Sequence, residues 1–275
     1  VMDLPDNYII VGGKMDETRF IIDTMIWSYS RLTAYHQCPY SFRLHYVDCI
    51  EGEENFYSQY GSFMHKILEK YAKNELSIFE LPMYYEEHYA ENITYPAPPN
   101  NYVDIGQSYY DKGLDFLENI DLDLENYEIL GVEKEVHFTI GKYKMVGFID
   151  LLLREKEAGK IIILDHKSAS IKFLKNGEIS KSCKEHFRSF VRQLCLYAKP
   201  TIEEYGRVDE LWWNLFKERK WIKIQFTESD YNEAIKWVED TIKAIENDVL
   251  WCPNPDDYFC RNLCDMRNKA CEYKP

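Results

Sequence analysis

The sequence contains no apolar run approaching the roughly 20 residues that a membrane span requires, and no charge-flanked apolar stretch opens it. A helical membrane protein is thereby excluded, and a soluble cytoplasmic protein with no membrane partner is the expectation. Basic residues are short as well: 33 Lys and Arg stand against 47 Asp and Glu, a formal net charge of -14. Indiscriminate coating of nucleic acid depends on many cations releasing phosphate counterions, so that class is excluded, although a local basic groove is not. There is no internal repeat and no low-complexity tract.

What is present is enough apolar material for a full core, 45% hydrophobic over 275 residues. The first 26 residues show no strong period. From Ser30, "SRLTAYHQCPYSFRLHYV" reads as two short helical pieces split by Pro39. "GSFMHKILEKYAKNEL" sets Phe63, Ile67 and Tyr71 at helical spacing, with His65 and Glu69 on another face. A mostly helical insertion at about 77–126 is interrupted by "YPAPPNN". Three β-rich runs follow, "YEILGVEKEVHFTI", "KYKMVGFIDLLLRE" and "KIIILDHKS", and their short turns predict an antiparallel meander. A helix on "HFRSFVRQLCLYAK", two more strands and an amphipathic helix at "ESDYNEAIKWVEDTIKAIENDV" complete an α/β chain with a mixed sheet.

Side chains alternate along a strand, so Asp165 and Lys167 project side by side from one face. Asp150 is read as closing the preceding strand, where it meets Asp165 if the two strands pair. Two converging carboxylates repel unless a divalent cation lies between them, and oxygen ligands suit magnesium or manganese. Lys167 beside that ion can position a water or offset phosphate charge.

Gly147-x-x-Asp150, a short hairpin and an apolar strand ending Asp165-x-Lys167 resemble the PD-(D/E)XK nuclease superfamily, and its RecB-like branch in particular. "GSFMHKILE" resembles that branch's Gly-x-x-x-His-x-x-Leu-Glu helix, and "RQLCLYA" its Gln-x-x-x-Tyr helix. The resemblance implies a restriction-endonuclease-like mixed central sheet flanked by helices. It also implies catalytic roles for Asp150, Asp165, Lys167, Gln193 and Tyr197. One or two Mg2+ or Mn2+ ions would be held by His65, Asp150, Asp165 and the backbone carbonyl of His166. Residues 27–275 would form the nuclease domain, leaving 1–26 without an assigned role.

Eight cysteines without a secretion signal suggest metal before disulfides. "CRNLCDMRNKAC" gathers Cys260, Cys264 and Cys271, and Cys38 lies in "SYSRLTAYHQCPYSF", a segment similar to the one opening iron–sulfur members of the branch, including CRISPR-adaptation nucleases and the AddB subunit. The resemblance implies a 4Fe-4S cluster on Cys38, Cys260, Cys264 and Cys271 that staples the C-terminal segment 252–275 to the core. The cysteine gaps of three and six depart from the usual pattern, so Cys252 is a candidate substitute and zinc the alternative metal. Lys172, Lys175, Lys184, Arg188 and Arg192 form a locally cationic stretch, a candidate DNA contact. The expected activity is a deoxyribonuclease, an exonuclease on single-stranded or frayed DNA ends. The alternative is a partner-dependent or inactive binding subunit working with a helicase, CRISPR, recombination or phage complex.

Overall fold

A computed structural model describes residues 14–273, with side chains from residue 17. Its centre is one five-stranded sheet in the order β1 (Tyr127–Ile140), β2 (Tyr143–Glu155), β3 (Ile161–Lys167), β4 (Glu210–Leu215) and β5 (Lys220–Gln225). The first three strands form the expected antiparallel meander, and β4 joins β3 in parallel. A parallel neighbour requires a crossover, which α7 (Lys184–Tyr205) supplies. The sheet is therefore mixed, and helices cover both faces.

One face packs on α7, on α8 (Glu228–Asn247) and on residues of the paired helices α2 (Tyr29–Gln37) and α3 (Pro39–Tyr46). The other packs on α4 (Phe56–Ala72), α5 (Leu81–Asn92) and α6 (Ile105–Glu118). β3 is buried on both sides because Ile161 and Ile163 point into the first core while Ile162 and Leu164 point into the second. No helix among the described residues is long and apolar enough to cross a membrane.

Helix starts follow side-chain caps. Ser28, not Ser30, caps α2, its Oγ accepting the Arg31 N–H at 3.2 Å. Asn55 and Ser58 form a reciprocal capping box that starts α4 five residues before Gly61. The aperiodic opening segment contains α1 (Lys14–Thr24), held by Arg19 on the Glu246 carbonyl at 3.0 Å and by buried Ile22. The rest of it, residues 1–13, lies outside the described residues.

The contact that fixes the site's scaffold is between β2 and α7. A Cβ built on Gly147 would lie 2.2 Å from the Tyr197 ring, so the strand approaches the helix as only glycine permits. Gly147→Ala forces the two apart and should cost about 1–3 kcal/mol as an overpacking change; urea unfolding of variant and wild type measures it, with a lower midpoint expected.

Candidate functional site

The register of the meander sets three carboxylates on one rung. Leu151 pairs with Leu164, so the next rung faces Asp150 with Asp165. Val132 pairs with Leu151 and Lys134 with Ile149, which brackets Glu133 opposite Asp150. At this rung the alternation of both strands changes phase. Met145 and Ile149 face the α7 core, but Leu151 and Leu153 face the α4 core. Glu133 takes up the change with a left-handed backbone, φ 47°. Asp150 thus sits at a kink inside β2, which runs on to Glu155, and does not close the strand as expected. The backbone N–H of His166, past the last paired rung of β2 and β3, donates to Asp150 Oδ2 at 2.7 Å.

α4 brings His65 to the same point. Its apolar stripe, including Tyr60, Met64, Ile67 and Leu68, is buried, which leaves His65 beside the kink with Nδ1 3.4 Å from Asp150 and 3.8 Å from Glu133. One ligand atom from each of His65, Glu133 and Asp150 lies within 4.8 Å of the others. Glu133 was not singled out in the sequence, where "GVEKEV" reads as an exposed charged edge and only the register distinguishes Glu133 from Glu135.

On the α7 side, Lys167 Nζ lies 3.0 Å from Asp165 Oδ1 and 2.8 Å from Oδ2. Nζ also donates to Gln193 Oε1 at 2.8 Å. The Tyr197 ring packs against Gly147 of β2, with its hydroxyl near Gln193 and the Phe148 backbone. Gln193 and Tyr197, one helical turn apart, therefore hold Lys167 at one end and β2 at the other. The His166 ring points to the opposite face, 3.0 Å from Asn214 Nδ2, and complete burial keeps it neutral.

His65, Asp150, Asp165, Lys167, Gln193 and Tyr197 line a cavity of about 760 Å³ together with Ser28, Ser30, Arg31 and Thr33, while Glu133 lines the groove beside it. A cavity of about 770 Å³ beneath residues 120–125 is lined by acids and apolar side chains and holds no comparable cluster.

Burial, and then the charge of Asp165, raise the Asp150 carboxyl to about 7, against the pull of His65. Burial opposes protonation of His65, but Glu133, Asp150 and Asp165 outweigh it and hold the imidazole at about 9. Asp165 Oδ2 is buried without a hydrogen bond of good geometry. One imidazole with surrounding carboxylates, one of them with a buried oxygen that meets only the Lys167 ammonium, is a donor set that fits magnesium or manganese.

The family model of the PD-(D/E)XK nuclease superfamily matches residues 26–274. The chain belongs to that superfamily. The crystal structure of an Eubacterium rectale protein provisionally named an exonuclease matches all of this chain and 96% of its own, at 12% identity and a TM-score of 0.52, a likeness of fold. The protein SSO0001 matches over 73% of this chain and 99% of its own, at 16% identity and a TM-score of 0.32, too low to carry an argument. No curated protein matches. As a superfamily member the chain is a nuclease; nucleases of this superfamily use divalent metals, and His65, Glu133 and Asp150 at the kink form a group that could hold one.

The other candidate residues lie elsewhere. Lys172, Lys175, Lys184 and Arg188 are exposed on the loop that leaves the cavity after Ala169 and on the first turns of α7. Arg192 is not with them. Its guanidinium is held by Glu233 at 2.9 Å and Glu185 at 3.0 Å and covers Trp237, so its charge is already spent within the protein. Cys38 joins α2 to α3, where its sulfur accepts the Asn254 N–H at 3.5 Å. Cys260 lies in α9 (Asp257–Asn262), and Cys264 and Cys271 in the turns after it. Burial raises the Cys264 thiol, and Cys271 and Cys260 are near enough to add to the effect. Among the described residues no three thiols lie as close together as the His65 group.

The raised Asp150 carboxyl gives a signed prediction for the metal-free protein. Folded Asp150 holds its proton more tightly than the unfolded chain, so its contribution to stability is full below about pH 4 and lost as pH rises through about 7. In EDTA at pH 8, Asp150→Asn should therefore melt higher than wild type, and the gap should close near pH 4. Added Mn2+ should raise the melting temperature of the wild type but not that of the variant. Thermal scans across pH, with and without metal, measure both effects.

Proposed function

We propose that the chain is a metal-dependent DNA nuclease of the RecB-like type that acts as an exonuclease on single-stranded or frayed DNA ends. The observation that carries this reading is the rung of Glu133, Asp150 and Asp165, with His65 on one side and the Lys167–Gln193–Tyr197 chain on the other. His65, Glu133, Asp150 and Asp165, with the backbone carbonyl of His166, are the groups that would hold Mg2+ or Mn2+. A divalent ion there supplies Lewis acidity, making a water acidic enough to attack phosphorus and neutralising charge on the phosphate.

The protein's own groups do the positioning. Lys167, fixed between Asp165 and Gln193, keeps its ammonium where negative charge grows on the phosphate oxygens. Tyr197 keeps that chain in register with β2. The exposed Lys172, Lys175, Lys184 and Arg188 offer a basic route away from the cavity that suits a nucleic-acid backbone.

The C-terminal segment suits a 4Fe-4S cluster on Cys38, Cys260, Cys264 and Cys271. All four donors are thiols at one corner of the fold, where Asn254 reaches the Cys38 sulfur and Tyr40 feels the charge of Cys271. A protein partner, of the helicase, CRISPR or recombination kind, is favoured by the helical insertion. Residues 77–126 carry eleven acidic side chains against Lys112 alone, a surface that repels DNA and suits a cationic protein.

The test is cleavage of end-labelled single- and double-stranded DNA, with an RNA oligomer as control, by anaerobically purified protein in Mn2+ or Mg2+. Metal-dependent products are expected from DNA. Lys167→Ala should lower the rate by about 10²–10³-fold, and Asp165→Ala should abolish it without loss of fold; activity within a few-fold of wild type in both variants rules the site out. For the cluster, Cys264→Ala should remove visible absorbance and lower solubility. A colourless, fully folded wild type sinks that part of the reading.

A further inference from the structure

Phe148 lies inside the Gly147-x-x-Asp150 segment and is used by nothing described so far. It is 52% exposed, and of the exposed large apolar side chains among the described residues it alone lines the catalytic cavity. It also lines a neighbouring groove of about 640 Å³ formed by Gly61, Ser62, His65, Lys66, Glu69 and Glu133. Phe148 and His65 are the residues common to both spaces, so the ring stands where the cavity opens into the groove.

It is a member of neither hydrophobic core. It pairs across the strand with Glu135, which is itself engaged with His137 at 2.9 Å. Its backbone is nevertheless firmly held, because the Tyr197 ring packs against Gly147 and the Tyr197 hydroxyl meets the Phe148 main chain. Two residues along a strand span roughly 7 Å, which puts Phe148 within about one nucleotide of a phosphate bound through a metal ion at Asp150.

We propose that Phe148 is a stacking platform for the nucleobase beside the scissile phosphate, and that it makes the site selective for an unpaired base. This rests on the nuclease reading above. The ring is flat and uncharged on a strand held against α7, and its neighbours His65, Glu133 and Asp150 are the groups that would hold the metal ion to which the phosphate of the same nucleotide binds. A base inside a duplex has both faces covered by its neighbours; a base in a single strand or at a frayed end has a face to give. Stacking is tolerant of sequence because every base has a π-face, so the platform selects for strandedness and not for a particular base.

The test uses single-stranded oligonucleotides that carry one abasic residue at each successive position, cleaved in Mn2+ by wild type, Phe148→Ala and Phe148→Trp. One position beside the cut should lower wild-type kcat/KM about tenfold when its base is removed. Phe148→Ala should lose the same factor on the intact strand and nothing more on the strand abasic at that position, while Phe148→Trp should behave as wild type. Penalties that multiply, or an alanine variant that matches wild type on every strand, overturn the platform. Quenching of 2-aminopurine at that position, measured in Ca2+, reads stacking without cleavage. Quenching by wild type that is lost in Phe148→Ala upholds the platform even if no strand is cut, and in that case it is the nuclease reading that fails. No quenching by wild type overturns the platform whatever the cleavage result.

Discussion

Three carboxylates on one rung of a sheet are the constraint around which this fold is arranged. Like charges at such separations repel strongly away from bulk water, and at this rung Asp150 and Asp165 face a cavity and Glu133 the groove beside it instead of either core. The protein supplies partial compensation on each side: the Lys167 ammonium on Asp165, and the His65 imidazole and the His166 N–H on Asp150. Burial, and after it the charge of Asp165, still leave the Asp150 carboxyl raised. A site that is left electrostatically short of positive charge and is still well packed is poised to accept a cation.

Much of this was legible in the sequence, and the exceptions share a cause. Alternation and turn chemistry predicted the meander and placed Asp165 and Lys167 on one face, because both are local properties of the chain. Helical spacing likewise put Gln193 and Tyr197 together. Glu133 was hidden because its role comes from register with Asp150 across a strand pair interrupted by a bulge between Ile129 and Gly131. The position of Asp150 within β2 was misread for the same reason, since a phase change in the middle of a strand leaves no mark in composition. Helix α7 continues through Pro200, a residue that locally argues for a stop; Pro200 and Thr201 are buried, and the packing of that face outweighs the lost backbone donor. Helix α1 has little apolar periodicity of its own and is held mainly by what it touches.

Charge is distributed as unevenly as structure. The net charge of -14 is concentrated in the helical insertion, whereas the cavity wall opposite the carboxylates presents Ser28, Ser30, Thr33 and Arg31, and the adjoining groove presents Lys66. A polyanion approaching the molecule is therefore repelled by one part of the surface and meets hydroxyls and cations near the chemistry. Net charge argues only against indiscriminate coating of nucleic acid; locally, Arg31 and Lys66 stand in the same spaces as Asp150, Asp165, Glu69 and Glu133, so charge of both signs meets at the cleft.

The C-terminal segment is held to the rest of the fold by ring packing and hydrogen bonds. Trp251 is buried and stacks on Phe42 with ring centroids 5.9 Å apart. The Asp265 carbonyl accepts the Glu53 N–H at 3.0 Å, Asn55 reaches the Leu263 carbonyl at 3.3 Å, and Met266 is fully buried. These contacts dock the segment beside α3 and at the start of α4 through protein groups alone. A cluster at Cys38, Cys260, Cys264 and Cys271 would then reinforce an existing junction. Its effect would reach the active site through α2, whose first turn forms the cavity wall at Ser28 to Arg31 and whose last turn ends at Cys38. One helix of nine residues joins the cavity wall to Cys38, so a displacement at that cysteine would be passed along the helix to the wall of the cleft.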